Sequence, residues 1–338
     1  MDSPRVQFSS AAGMGAARGP LSRLRLRALG IDADEASFRR RGFDAAAPAR
    51  RDRLERIGGT FVAGYNCSLA TADPAAVAMR SLRIPSESRG FFFEGAAMGL
   101  AVLDLVMPGR SHRFGRFIAG QARPHIYMAY IGAGWALART AAWVRWRLGQ
   151  LDPLLRPLLY DGFGFHCGFF HHRSAIHAHH VPTSMQGRWQ SAFDQGLGRA
   201  IWFVMGADVE KVAATAAAFP APRRADLWSG IGLAAAYAGG IDGYELSCLR
   251  DYAGEYRWHA AQGVAFAAKA RERAGNQAEH TSAAARLFCG CEAGAVADLT
   301  DRALQDLVRT TPDVGFEAWR SRTRASLTAL AAQSGGDL

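Results

Sequence analysis

The sequence predicts an all-α, internally duplicated fold, two helical pseudo-repeats packed about a local two-fold. Three observations carry that reading. Long alternating runs of β-branched residues are missing, and Ala and Leu dominate instead. Residues recur at a constant offset of 135: Asp73 with Asp208, Val77 with Val212, Pro85 with Pro220, Arg89 with Arg224, and Gly95 with Gly230. At an offset of 131, Gly132, Trp135 and Ala136 match Gly263, Phe266 and Ala267, so a four-residue deletion in the second copy aligns the halves.

In chain order, residues 1–33 read as a flexible basic extension without apolar period. Residues 34–180 form the first repeat, 181–310 the second, and 311–338 a C-terminal helix and tail. After Pro48 a helix should turn Leu54 and Ile57 inward. Asp73 as N-cap and Pro74 as first helical residue open a helix over 74–83, and Asp208 opens its counterpart over 209–219. Gly-rich apolar helices follow at 88–106 and 223–238, carrying Gly95, Gly99, Gly230 and Gly232. Glycine weakens a helix, so these positions mark close approach of a ligand or of another helix. Further helices are expected at 125–139, 150–160, 192–206, 245–271, 279–289 and 314–333.

Composition narrows the function. The chain of 338 residues is 49% hydrophobic, which suits a globular protein and excludes a mainly disordered one. Its net charge is +10, but only Lys211 and Lys269 among the forty basic residues are Lys. Such a skew reads as coding bias, and with no recognised nucleic-acid module no nucleic-acid partner is expected. No apolar run reaches the roughly twenty residues of a membrane span, and no secretory signal is visible. Five Cys do not make a disulfide framework. The setting expected is cytoplasmic, with peripheral membrane attachment through the Arg-rich front end as an alternative.

The chemistry concentrates in one segment. Six of the ten His (166, 171, 172, 177, 179 and 180) fall within fifteen residues, beside Phe163, Phe165, Phe169 and Phe170. Gly162, Gly164 and Gly168 suggest irregular backbone there, which would let His166 and His171 converge as metal ligands. An aromatic pocket with one or two His would equally suit haem, and a packing role for His166 stays open. Glu94 and Asp104 sit in an apolar helix, where an ion pair with a core-facing Arg is expected. Arg199 lies within reach of Asp194 or Gln195 on one helix, and His259 and Gln262 form another polar cluster. The catalytic candidates are His166, His171, Glu94 and His259; the ligand-binding candidates are His125, Gly95, Gly99, Gly230 and Trp135. No phosphate loop, nucleophile elbow or dinucleotide fingerprint is present.

The blocks RGFFFEGAAMGLAVLD, PHIYMAYIGAGWALAR, LDPLLRPLLYDGFGFHCGFFH, FDQGLGRAIWFVMGAD, RRADLWSGIGLAAAYAGG and QGVAFAAKARERAGNQAEHT resemble the UnbL-type family, encoded beside enediyne polyketide synthases. The resemblance spans about residues 21–310. It implies an accessory protein that helps convert a linear polyene to the enediyne core, beside a membrane-protein partner and a repeat-protein partner. The family has His where His166 and His171 stand and matches at Asp161, Gly162 and Gly164, while Cys167 and His172 depart from it. Making alkynes from a polyene needs net oxidation, so a redox metal or haem would make chemical sense. The rival expectation is a non-catalytic polyene carrier or scaffold for partner enzymes.

Overall fold

The computed structural model describes residues 19–44, 47–107, 112–140, 151–307 and 312–333. The described residues form sixteen α-helices and no strand, so the all-α class is as expected. In order they are α1 Pro20–Leu29, α2 Phe38–Arg41, α3 Pro48–Thr71, α4 Pro74–Ser81, α5 Arg89–Val106, α6 Arg113–Ala119, α7 Ile126–Thr140 and α8 Pro157–Phe170. Then come α9 Gln190–Val204, α10 Val209–Ala218, α11 Ala221–Ala238, α12 Gly243–Ala253, α13 Arg257–Ala274, α14 Glu279–Cys289, α15 Ala293–Leu304 and α16 Pro312–Gln333.

Local chemistry sets many boundaries. Asp73 accepts from the N–H groups of Ala75 and Ala76, and Asp208 from that of Lys211, so both expected caps are present. Asp242 and Glu245 form a capping box at α12. The single helix expected over 245–271 is two, because Gly254 at φ 50° ends α12.

Seven helices, α3, α5, α7, α8, α9, α11 and α13, pack side by side in chain order. They run parallel. Along α9 and α11, Ser191 meets Asp226 and Trp202 donates to the Gly239 carbonyl. Along α8 and α9, Tyr160 stacks on Trp189 and Phe165 meets Phe203. Parallel neighbours need return connections, which α4, α6, α10 and α12 help supply.

One device recurs at every seam of this array. A Cβ on Gly132 would meet the Glu94 carbonyl, on Gly162 the Ile131 carbonyl, on Gly196 the Asp161 carbonyl, on Gly230 the Gln195 carbonyl, and on Gly263 the Ser229 carbonyl. Gly134, Gly164, Gly198 and Gly232, each two residues on from the first four, meet the carbonyls of Leu159, Phe193, Leu227 and Ala260. Two backbones can touch there only because neither side chain intervenes, and Cα–H groups then face carbonyl oxygens. From Gly95 the seams advance through Gly132, Gly162 and Gly196 to Gly230, so the 135-residue offset spans four steps of a shorter helical spacing. The packing continues across residue 180 without a break, since α8 and α9 meet through Gly164 and Gly196. A division into two halves about a two-fold is therefore not what these contacts express.

Three expectations about single segments are corrected. Residues 20–29, read as part of a flexible extension, are helical, because Leu26 and Leu29 pack on the core, Tyr65 donates to the Leu29 carbonyl, and Asn66 brackets Ile31 with two hydrogen bonds. Residues 1–18 and 334–338 lie outside the described residues. The Gly-rich segment 157–170, read as irregular after a helix ending at 160, is the regular helix α8. Helices α2, α6 and α15 lie outside every helix expected from the sequence.

Candidate functional site

Glu94 precedes Gly95 on α5, and the same position before the seam glycine holds Asp161 on α8, Gln195 on α9, Ser229 on α11 and Gln262 on α13. Because these helices are parallel and their glycines are in register, four of these side chains stack into one buried ladder. Gln195 Nε2 donates to Asp161 Oδ2 at 2.8 Å. Ser229 Oγ lies 3.1 Å from Gln195 Oε1 and 3.0 Å from Gln262 Oε1. Arg320 on α16 closes the far end, donating to Gln262, to Asp226 at 2.6 Å and to Glu317 at 2.8 Å. Position 131 on α7 is Ile, and Arg199 carries the connection past it. Its guanidinium donates to Asp161 and comes within 3.7 Å of Glu94 Oε1.

At the Glu94 end the ladder faces a cavity of about 50 Å³ between α3, α5, α7, α8 and α9. That is room for a few water molecules. Phe61, Phe91, Trp135, Phe165, Phe169, Phe170 and Phe203 line it, with Glu35, Glu94 and Arg199 the charged groups. Trp135 packs on Phe61 at 4.4 Å and Phe165 at 5.1 Å between ring centroids, and Arg199 lies 4.9 Å over Phe165. The segment carrying Ile31, Glu35 and Ala36 covers the cavity. Arg41 pairs with Glu35, and Phe43 packs edge-on against Phe169 at 5.0 Å.

Burial pushes the Glu94 carboxyl up to about 7, against the pull of Arg199 and with a further push from Asp161. Burial among aromatic side chains thus favours the protonated form of the Glu94 carboxyl. It also links pH to stability. Between 4.5 and about 7 the folded chain holds a proton that the unfolded chain has released, so stability falls as pH rises through that window. Glu94→Gln, which mimics the protonated acid, should unfold in urea like the wild type at pH 5. At pH 8 it should be the more stable by roughly 2 kcal/mol. A difference that does not change with pH would show that Glu94 titrates outside this window.

The histidines do not gather at this carboxyl. His166 meets Trp135 edge-on at 5.7 Å, and burial, then His171 and Arg139, hold it down to about 3. His171 caps the end of α8, its ring 5.9 Å from that of His166. His125 stacks on Phe93 at 4.4 Å, and His259 lies half-buried near Tyr256. Only Glu94 and Trp135 of the expected site residues line the cavity. Gly95, Gly99 and Gly230 meet Phe61, Ser68 and Gln195 of neighbouring helices, so they serve packing.

Among the described residues no three His, Cys, Asp or Glu side chains group as metal ligands. Burial raises the Cys167 thiol to about 12, which suits packing rather than nucleophilic chemistry. Asp104, expected to pair with an Arg, binds Arg113 and accepts from the N–H groups of Arg113 and Phe114 at the start of α6. Arg199 does not pair along its own helix as its spacing suggested, and Asp194 is held instead by Arg223 of α11.

Fold and site together define a parallel helical array whose polar seam ends in an aromatic cavity with a single near-neutral carboxyl. The chain belongs to a family described as protein of unknown function (DUF1702), which matches residues 20–327. No curated protein and no solved structure matches it.

Proposed function

We propose that this chain is an accessory protein of enediyne-type polyketide biosynthesis that receives the unsaturated end of a linear polyene in the Glu94 cavity. The observation that carries the reading is the lining itself, seven aromatic side chains around the buried carboxyl of Glu94 and the guanidinium of Arg199, with Glu35 on the covering segment. Aromatic faces suit a conjugated chain, and a pocket mostly apolar with few polar groups is the ordinary form of a small-molecule site. The described cavity admits only a few carbon atoms, so the bound portion is a chain end.

Glu94 separates an enzyme subunit from a carrier. Its proton affinity suits it to take up or return a proton as the chain is processed with partner proteins. Titration of a conjugated polyene should shift its absorbance to longer wavelength, with affinity about tenfold weaker in Trp135→Ala. Absence of any shift would overturn the reading. Glu94→Gln should keep binding. Loss of conversion in an assay reconstituted with the pathway's partners would assign it proton transfer, and retained conversion would assign the chain carriage alone.

A further inference from the structure

Helix α1 has two apolar faces. One carries Leu26 and Leu29 onto the core, with Arg25 donating to the Ala70 carbonyl at 3.0 Å. The other turns Leu21 and Leu24, 72% and 63% exposed, to solvent. At 100° per residue the exposed arc runs Arg23, Arg27, Leu24, Ala28, Leu21. Neither Arg23 nor Arg27 has an ion-pair partner among the described residues. Arg113 of α6 lies close enough to repel Arg25. Arg113 is anchored on Asp104, two residues before the exposed Val106 and Met107 at the end of α5. Arg25 and Arg113 thus bring α1, with the exposed Leu21 and Leu24, toward the end of α5 that carries the exposed Val106 and Met107.

We propose that this end docks on an anionic membrane surface, with Leu21 and Leu24 inserted at the headgroup level and Arg23 and Arg27 against lipid phosphates. Charge complementarity selects the occupant. Residues 1–31 hold five Arg and a single acidic residue, Asp2. A helix presenting exposed leucines beside exposed arginines is the pattern of an interfacial amphipathic helix rather than of a groove for a peptide. No helix among the described residues is long and apolar enough to cross a membrane, so attachment here is peripheral. The inference does not depend on the polyene reading.

Sedimentation of the full chain with phosphatidylcholine vesicles, with and without phosphatidylglycerol, tests it. Binding should require the anionic lipid and weaken at high salt. It should fall about tenfold or more in Leu21→Ser/Leu24→Ser and in Arg23→Glu/Arg27→Glu. Both variants should keep the wild-type circular dichroism and melting temperature, because the replaced side chains are exposed. Equal binding to neutral vesicles would overturn the proposal, as would no binding to either kind or wild-type binding by the two-leucine variant.

Discussion

Gly196→Ala should be strongly destabilised. A Cβ at 196 would lie 2.6 Å from the Asp161 carbonyl carbon, a separation no packed structure tolerates, and the obstacle is the backbone of α8. Relief requires α8 and α9 to separate along a seam that also holds the hydrogen bond from Gln195 to Asp161. Overpacking ordinarily costs about 1–3 kcal/mol, and a rigid backbone obstacle puts this site at or above the upper end. Gly59→Ala is the matched comparison. It lies inside α3 with nothing within 4 Å of the added methyl. It should stabilise by roughly 0.5–1 kcal/mol through helix propensity alone. Urea unfolding of both checks the pair. Equal effects would mean that the glycines are set by helix propensity and not by contact.

Arg199→Met should be the most damaging change at the ladder. Arg199 is almost fully buried and is the positive group between Asp161 and Glu94. Without it two carboxyls stand in an apolar interior with Gln195 as the remaining neutral donor to Asp161. Breaking a buried pair in this way costs about 3–5 kcal/mol. That is a large part of a domain's usual stability of roughly 5–15 kcal/mol. The triple variant Arg199→Met/Asp161→Asn/Glu94→Gln removes the unpaired charge and should recover most of the loss in guanidinium unfolding. If it recovers nothing, the damage comes from lost packing of the guanidinium on Phe165 rather than from stranded charge.

The elements that were legible in the sequence are those whose signals are local. Asp73 with Pro74 and Asp208 with Lys211 mark helix starts by chemistry within three residues. Expected and observed limits agree closely for α5, α7, α11 and α14. Helix α8 is not legible in the sequence because Gly162, Gly164 and Gly168 disfavour a helix in isolation, whereas in the fold each faces an adjacent helix. The recurring form at 131–134, 161–164, 195–198 and 229–232, any residue then Gly-x-Gly, was a readable signal of the shorter spacing. The 135-residue offset sampled it only at every fourth step.

At the site, the burial of the Glu94 carboxyl and its pairing with some Arg are legible from the apolar helix around it. The identity of that Arg is not legible, because Arg199 is 105 residues away and its own helix offers Gln195 and Asp194 at pairing distance in sequence. Gln195 instead donates to Asp161, and Asp194 is taken by Arg223. The histidine cluster drew attention through composition, yet helical geometry separates residues five apart by about 140°.

The sequence by itself determined the helical class, the caps, the apolar faces and the unusual burial of a carboxyl, since each follows from residues near one another in the chain. Only the tertiary structure decided what the glycines and polar residues are for. Parallel helices brought into backbone contact at Gly132, Gly162, Gly196, Gly230 and Gly263 align the residues just before their glycines, and alignment between helices is not a property of any one of them. That alignment connects Asp161, Gln195, Ser229 and Gln262, and Arg199 joins them to Glu94 at a single aromatic cavity among several helices.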